Sequence, residues 1–575
     1  MNQKNRLIKI VTSILIFTII LCTLSASTTV SLLPFPEIRF IKSESEQRGD
    51  FWKYNEQSNV FIVQNPSWQT DKTAKTFVSS LSAVVEEKIS LNSGKNLSES
   101  GNYDILLIAD EKAGIEQEGY DIAVKGSQLF VRASDDNGLF YGCAEVVKQL
   151  KKNGRVGSVH SAPDTAERAL FLDIARKYYT PLWIKELIKE LESSRMNTLV
   201  LHFSEEMGLG LESKKYPWLN GRDGTLCTQC EVPTDNRQIT QTEMADIVSY
   251  AKMHHVEIVP SFDTPGHMNY IVKQFNVRAA SSALSFTYLD KVYEAPAGTD
   301  IGNYYHTDGK IAIVQGSRNT KYSRGIDITN EYAIAFTKSL LDEYASFFSS
   351  LGCRKFDMGG DELLGWGDSP NPSLPKWQQL DHWKKAAVEA TGNKNAVAYD
   401  YFLLYMNDLY EMLTSKYGYT SVRMWNDDVM RSSDTGWKKV VKLNTDIDIE
   451  YWQPNETNTY SVFTSAKHNI YNYLNYYNYY VVMSNNPYPN CTPKDIYNNW
   501  NPFTFVGNEH GGVADVGDEK VKGSALCVWC DEPNYKTEQE VFDDIKPLIQ
   551  VNGAKAWDAD CNLTKPFKSF IKELN

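Results

Sequence analysis

Residues 353–363, CRKFDMGGDEL, combine a short strand pattern with two glycines and two adjacent carboxylates. We predict a buried strand over 355–359, followed at once by Asp361 and Glu362. The glycines allow the backbone to approach its surroundings closely, and a carboxylate pair at a strand end suits general acid–base chemistry. The alternative is that both acids simply begin a helix, whose dipole favours negative charge in the first turn.

Strand patterns recur on both sides of this stretch and alternate with helical ones such as 182–195, 242–255 and 331–350. This alternation is typical of βα units and a parallel sheet. Eight strands with crossover helices predict an α/β protein of the (β/α)8 TIM-barrel class, with its active site at the carboxyl ends of the strands. Residues 269–329 show little regular pattern and are predicted to form a loop over that site. The predicted strands are 170–174, 198–203, 257–262, 355–359, 422–425, 447–451, 469–474 and 524–529.

A smaller unit precedes the barrel. Strand patterns and two helical patterns, 74–89 and 136–150, predict a small α/β domain. It shows no carboxylate cluster and no cofactor loop, so we expect a structural role. The predicted boundaries are 1–27 for a signal peptide or membrane anchor, 28–55 for a linker, 56–165 for the small α/β N-terminal domain and 166–575 for the (β/α)8 catalytic barrel.

The N-terminus has the pattern of an export signal. Lys4, Arg6 and Lys9 give a positive start, residues 10–24 are almost wholly apolar, and 25–27 are small residues suited to cleavage. The alternative is an uncleaved anchor that tethers the chain to the membrane, because the apolar run is near the lower length limit for a span. Both interpretations predict an extracellular location for the rest of the chain.

Charge and cysteine content exclude some classes of function. The net charge is −13 and no basic cluster stands out, so nucleic acid is not an expected partner. The pairs Cys227/Cys230 and Cys527/Cys530 have a spacing that could suit zinc, but no histidine lies at ligand spacing beside either. We expect a local disulfide in the first pair, buried thiols in the second, and neither a metal nor an organic cofactor.

Charged, aromatic or histidine residues follow every predicted strand. The carboxyl ends of parallel strands meet at one end of a barrel, so these residues are expected to surround a single site. In chain order the segments are 173–176, 202–206, 263–267, 361–362, 425–428, 451–453, 478–480 and 529–532.

This ordered series resembles glycoside hydrolase family 20, the β-N-acetylhexosaminidase and lacto-N-biosidase family. The most specific segments are GGDE at 359–362, DTPGH at 263–267 and DIAR at 173–176. The resemblance implies substrate-assisted catalysis with retention, in which the substrate's 2-acetamido carbonyl attacks the anomeric carbon and forms an oxazolinium ion. Glu362 is then the general acid and base. Asp361 orients the acetamido group and stabilises the charge on its nitrogen.

The resemblance also assigns substrate-binding residues, each with a structural alternative. Arg176 would hydrogen-bond sugar hydroxyls, or else pair with Asp173. His267 would support the acid, or else cap a helix. Asp531 would contact distal hydroxyls, or else be a loop charge.

Aromatic residues complete the implied site. Trp425, Trp452 and Trp529 would wall the pocket and stack on the sugar, or else belong to the barrel core. Tyr479 would hold the acetamido oxygen, with Tyr480 and Tyr477 as register alternatives.

Two segments depart from the family pattern. The family carries histidine three residues before Gly-Asp-Glu, where this chain has Asp357, and it commonly has Asp-Asp where this chain has Glu205 and Glu206. A general acid must start protonated, so we expect the negative charge of Asp361 and an enclosed pocket to raise the pKa of Glu362.

Three functions are consistent with these residues. The first is a secreted exo-glycosidase that releases terminal β-linked N-acetylhexosamine from a glycan partner. The second is a lacto-N-biosidase, with the same catalytic pair and a pocket enlarged for a disaccharide. The third is a carbohydrate-binding barrel without catalysis, which intact Asp361, Glu362 and Arg176 disfavour. A metal-dependent hydrolase is disfavoured too, because no two of the nine histidines are paired at ligand spacing.

Overall fold

The protein is described here by a computed structural model. The described residues are 48–55, 58–63, 70–95, 103–223, 235–303, 306–307, 310–311, 325–362, 380–426, 440–452, 467–473, 480–482, 492–505 and 512–574. The predicted signal segment 1–27 lies outside them. Within these ranges, no helix combines the length and the apolar character that a membrane span requires.

The small domain is a seven-stranded mixed sheet with two helices, Thr70–Val85 and Asp136–Asn153, packed on it. The strands are β1 (Arg48–Trp52), β2 (Val60–Val63), β3 (Leu91–Gly94), β4 (Ile105–Ala109), β5 (Tyr120–Lys125), β6 (Gln128–Ala133) and β7 (Val156–Ser161). Their order in the sheet is β1-β7-β5-β6-β4-β2-β3.

The predicted linker over 28–55 is wrong at its end, because β1 pairs antiparallel with β7. The small domain therefore begins before residue 56. The strand signal in β1 is weak because the adjacent Phe51 and Trp52 break the apolar/polar alternation of a strand, although only Trp52 is buried.

The barrel is a closed ring of eight parallel strands, as predicted. Each strand pairs with the next, and the eighth pairs with the first, with Gly523 opposite Glu167. In chain order the strands are Glu167–Asp173, Thr198–Glu205, Glu257–Phe262, Lys355–Asp357, Ser421–Trp425, Ile447–Tyr451, Ile470–Asn472 and Val521–Trp529.

Helices surround this ring, and several begin at a threonine. Thr180, Thr240 and Thr537 each accept a backbone N–H of the first helical turn, which satisfies a donor that the helix itself leaves unpaired. The helices of the barrel region are Pro181–Ser193, Gln241–Met253, Asn269–Ala279, Glu331–Ser350, Asp381–Thr391, Ala398–Glu411, Pro493–Asn499, Glu538–Trp557, Cys561–Thr564 and Phe567–Leu574.

Shorter elements decorate the loops. They are the 3-10 turn Pro217–Leu219, the π-helical turn Met412–Lys416, and the short strands Gly208–Leu209, Gly221–Arg222, His306–Thr307, Lys310–Ile311, Tyr480–Val482, Thr504–Phe505 and Gly512–Val513.

The prediction of a loop over residues 269–329 is wrong for its first half. That half contains the helix Asn269–Ala279 and the antiparallel hairpin of Leu284–Tyr288 with Lys291–Ala295. The two-residue turn, Leu289 and Asp290, has positive φ at both positions. Such a turn normally carries asparagine, aspartate or glycine, so leucine at its first position conceals the hairpin signal.

Buried polar contacts join the small domain to the amino-terminal end of the barrel. Arg168, in the first barrel strand, pairs with Glu118 of the small domain. Asn197 Nδ2 also donates to Glu118 Oε1, at 3.1 Å. Trp557 packs in the small-domain core, and its Nε1 donates to Ser161 Oγ at 2.9 Å. The small domain thus braces the end of the barrel away from the strand carboxyl ends.

A network of ion pairs fills the barrel interior near the amino-terminal ends of the strands. Two nitrogens of Arg423 lie 2.7 and 2.6 Å from the Glu167 carboxylate, and Lys355 Nζ lies 2.9 Å from it. Burial alone would raise the pKa of Glu167, but the charges of Arg423 and Lys355 lower it to about 2. With this end occupied by paired side chains, open space for a ligand is expected at the opposite end.

We predict that Gly359→Ala destabilises the barrel more than a comparable substitution elsewhere. Gly359 has φ +70°, and an added Cβ would lie 1.9 Å from Asp263 Oδ1 and 2.7 Å from Asp263 Cα. Gly392→Ala is the matched control, because Gly392 has φ +63° but nothing within 4 Å of an added Cβ.

The positive φ costs both variants about 1–2 kcal/mol, and overpacking should cost Gly359→Ala about 1–3 kcal/mol more. Parallel thermal and denaturant unfolding would measure the difference. Equal losses in the two variants would show that Asp263 does not confine the backbone at Gly359.

Candidate active site

Asp361 and Glu362 follow the fourth barrel strand through a turn that its glycines make possible. Gly359 and Gly360 have φ of +70° and +95°, a region that glycine occupies without strain. Glu362 has φ +40°, which is uncommon for a residue with a side chain. The Asp361 side chain is 10% exposed and that of Glu362 is 30% exposed. Asp361 therefore lies deep in the site, and Glu362 lies in its more open part.

His267 contacts both members of this pair. Its Nε2 lies 3.6 Å from Asp361 Oδ2 and 3.6 Å from Glu362 Oε2, and its Nδ1 lies 3.1 Å from Glu205 Oε2. Burial alone would lower the pKa of His267, but the carboxylates of Glu205 and Asp361 raise it well above its usual range. His267 is therefore a buried cation between strand two and the carboxylate pair, rather than a simple helix cap.

Arg176 is the second buried cation. Its guanidinium lies 2.9 Å from Asp173, 2.5 Å from Glu205 and 3.7 Å from Asp531. The predicted alternative, an ion pair with Asp173, is therefore present. Because the same guanidinium also reaches Glu205 and Asp531, it remains part of the site.

Glu205 links the two cations. Burial alone would raise its pKa, but the charges of Arg176 and His267 hold the pKa of Glu205 well below its usual range. Glu206 is more open, and its Oε1 lies 3.6 Å from His267 Nδ1. Sequence reasoning left the role of this pair undecided, although its position after the second strand was the signal that could have placed it here.

The three predicted tryptophans meet in one cluster. The Trp425 ring lies 6.0 Å from that of Trp529 and 6.4 Å from that of Trp452, the latter in an edge-to-face arrangement. Trp425 and Trp529 also pack with Phe171 and Tyr473 in the upper barrel core. Arg176 lies over the Trp529 ring, 5.6 Å from its centroid. The three tryptophans therefore belong to the upper barrel core and also form the floor of the site.

The remaining predictions have different outcomes. Asp531 lies beside Arg176, with its side chain 33% exposed, so it belongs to the rim of the site. Tyr479 lies outside the described residues, as does Tyr477, and its assignment stays a prediction. Tyr480 begins a short strand that pairs with the eighth barrel strand, opposite Cys527.

Asp357 occupies a buried position one layer below the pair. It accepts hydrogen bonds from the Ser261 hydroxyl and, at 2.9 Å, from the backbone N–H of Gly359. Ser261 Oγ in turn lies 2.8 Å from His202 Nδ1. Burial raises the pKa of Asp357 to about 6, although its hydrogen bonds act in the opposite direction. Sequence reasoning identified Asp357 as a departure and placed His202 in the segment that follows strand two, but it missed Ser261 and the hydrogen bonds that join the three.

Among the described residues, one cluster has the spacing of a metal site. His202, Glu205 and Asp263 are buried, and one ligand atom of each lies within 4.8 Å of the others. Arg176 and His267 already compensate the Glu205 carboxylate, so a divalent cation would have to enter beside two positive charges. We therefore interpret the cluster as part of the ion-pair network. Cys527 and Cys530 are free buried thiols, and Cys227 and Cys230 lie outside the described residues.

Comparison with known proteins places both domains in one family. The model described as "Glycosyl hydrolase family 20, catalytic domain" matches residues 167–557. The model described as "Glycosyl hydrolase family 20, domain 2" matches residues 43–162.

Individual relatives are distant. A lacto-N-biosidase of Bifidobacterium bifidum is 23% identical over 461 residues, which cover 78% of this chain and 34% of the relative. An N,N'-diacetylchitobiase of Vibrio harveyi is 24% identical over 268 residues, which cover 42% of this chain and 29% of the relative. The chain thus spans about a third of the length of these curated relatives.

A solved structure shares the fold. The β-N-acetylhexosaminidase from Bacteroides fragilis superposes with a TM-score of 0.60 at 18% sequence identity, over 92% of each chain. Since the catalytic-domain match takes in the whole barrel and the domain 2 match the small sheet in front of it, the chain belongs to glycosyl hydrolase family 20.

Proposed function

We propose that the protein is an exo-glycosidase that hydrolyses terminal β-linked N-acetylhexosamine with retention, through an oxazolinium intermediate. Glu362 is the general acid that protonates the leaving oxygen and then the base that activates water. Asp361 orients the acetamido group and stabilises the positive charge on its nitrogen.

The observation that carries this proposal is that both carboxylates come from one strand end and contact one imidazole nitrogen. In most retaining glycosidases the acid and the nucleophile are about 5–5.5 Å apart and flank the scissile bond. Consecutive carboxylates that share His267 Nε2 are poorly placed to act from opposite sides of a sugar ring. They suit a division in which the protein supplies the acid and the substrate supplies the nucleophile.

The depth of each group supports the same division. Glu362, in the more open part of the site, is placed for a leaving group that extends toward solvent. Asp361, which is nearly enclosed, is placed for a substituent buried beneath the sugar. The aromatic floor of Trp425, Trp452 and Trp529 suits the apolar faces of a pyranose and of an acetamido methyl.

Release of a disaccharide is a second candidate. The Bifidobacterium bifidum relative that covers 78% of this chain is a lacto-N-biosidase. Such an enzyme would use the same pair with a longer pocket. We further propose that the glycan is met outside the cell, on the strength of the charged and apolar pattern of residues 1–27.

We predict that Glu362→Gln abolishes acid assistance. The test uses two aryl β-N-acetylglucosaminides, one with a poor phenol leaving group and one with a dinitrophenol, and the matching aryl β-lacto-N-biosides. With the poor leaving group kcat/KM should fall by about 10²–10⁴-fold, whereas the dinitrophenyl substrate, which needs little protonation, should lose far less.

The same assay separates the two candidate functions. Turnover of the glucosaminide by the wild type supports exo-hexosaminidase activity, and turnover of the lacto-N-bioside alone supports disaccharide release. An equal loss with both leaving groups would contradict the assignment of Glu362 as the acid.

We predict a different signature for Asp361→Asn. Stabilisation of the oxazolinium charge is needed whatever the leaving group, so both aryl substrates should lose about 10²–10³-fold in kcat. Glu362→Gln is the matched comparison, because each variant replaces a carboxyl group by an amide of nearly the same shape at neighbouring residues. A loss confined to the poor leaving group would assign Asp361 to proton transfer instead.

A further inference from the structure

Three side chains at one level of the barrel interior form a hydrogen-bonded chain. The sheet register sets Ser261 opposite His202 on one side and opposite Asp357 on the other. Ser261 Oγ contacts both, with His202 Nδ1 at 2.8 Å. All three side chains are fully buried, so water does not substitute for these contacts.

These hydrogen-bonded side chains also approach the carboxylates of the active site, through His202. His202 Nε2 lies 3.5 Å from Asp263 Oδ2 and 3.8 Å from Glu205 Oε1. Asp263 packs against the turn that leads to Asp361, because an added Cβ on Gly359 would meet it. His202 Nε2 and both carboxyl oxygens of Asp263 are buried, and the Asp263 side chain is in hydrogen-bond contact with that of Asp361.

One arrangement of protons satisfies this chain when Asp357 is ionised. The Asp357 carboxylate can only accept, so Gly359 N–H and Ser261 O–H both donate to it. A hydroxyl that has donated its proton can only accept, so His202 Nδ1–H donates to Ser261. In the neutral form of His202, Nε2 is then bare and is matched by a protonated Asp263. In the doubly protonated form, Nε2–H would instead face an ionised Asp263.

The surrounding charges agree with a proton on Asp263 rather than on Glu205. Glu205 is held ionised by Arg176 and His267. Burial and the neighbouring charge of Asp361 raise the pKa of Asp263 well above its usual range. Two further charged groups lie near Asp357. Arg423, on the strand next to that of Asp357, pairs with Glu167. Burial and the charge of Asp357 raise the pKa of Glu450, which favours its neutral form.

We propose that Asp357 is a positioning residue that acts through Ser261 and His202 to keep a proton on Asp263, so that Asp361 carries the negative charge beside Glu362. This inference rests on the proposed function, in which Asp361 must be anionic. A neutral Asp263 does not repel that charge. An ionised one would draw a proton onto Asp361, since two buried carboxylates in contact do not both ionise.

Replacement of Asp357 by asparagine should reverse the direction of the hydrogen bonds that run from His202 through Ser261 to residue 357. The Asn oxygen must accept Gly359 N–H, which turns the amide N–H₂ toward Ser261. Ser261 then donates to His202 Nδ1, and the imidazole proton moves to Nε2, facing Asp263. Ser261→Ala should give the same tautomer by a separate route, since it removes the partner of Nδ1.

The test is ¹⁵N NMR of histidine-labelled full-length protein at about pH 7.5. Asp357, whose pKa burial raises to about 6, is ionised at that pH. A His202→Asn sample assigns the His202 signal. We expect Nδ1–H in the wild type and Nε2–H in Asp357→Asn and Ser261→Ala. Asp448→Asn is the matched control, because Asp448 is also buried and bonded to a serine, Ser421, at 2.5 Å, near the start of the sixth strand. It should leave the His202 signal unchanged.

Enzyme kinetics test whether the His202 tautomer affects catalysis through Asp263 and Asp361. Asp357→Asn should lower kcat by about 3- to 30-fold with both aryl leaving groups and with little change in KM, and Asp448→Asn should not. An unchanged His202 tautomer in both variants overturns the inference, as do a doubly protonated His202 in the wild type and a switched tautomer with unaltered kcat. If the wild type turns over neither substrate, the proposed function falls, while the NMR comparison still decides whether Asp357 sets the proton on His202.

Discussion

Charge compensation at the carboxyl end of the barrel is the interaction on which the site depends. Arg176 reaches Asp173, Glu205 and Asp531, and His267 reaches Glu205, Glu206, Asp361 and Glu362. Burying an uncompensated carboxylate costs several kcal/mol, so these acids tolerate one another because two cations stand among them. In the proposed function, the same compensation lets an anionic Asp361 and a protonated Glu362 stand side by side.

The barrel supplies the constraint that brings these charges together. Arg176 follows the first strand, Glu205 ends the second, His267 follows the third and the carboxylate pair follows the fourth. A closed parallel sheet delivers all of them to one rim. The opposite end is filled by the network of Arg423, Glu167 and Lys355 and braced by the small domain through Arg168 and Glu118.

Much of this arrangement could be predicted from sequence, because eight short apolar runs each end in a polar or aromatic residue. The Gly359–Gly360 turn, Arg176, His267 and the tryptophans follow from that pattern and from the family resemblance. The hairpin at 284–295 could not be predicted, because leucine stands at the first position of its turn, Leu289–Asp290. The chain of Asp357, Ser261 and His202 could not be predicted either, because it exists only through the register of three adjacent strands.

The central claim is that the substrate, and not the protein, supplies the nucleophile. The most direct test compares kcat/KM for aryl β-N-acetylglucosaminides whose acetyl group carries none, one, two or three fluorines. Fluorine withdraws electrons from the carbonyl oxygen, so the account predicts a steep fall in rate with each fluorine. A rate that is insensitive to fluorination would contradict it and would require a nucleophile from the protein.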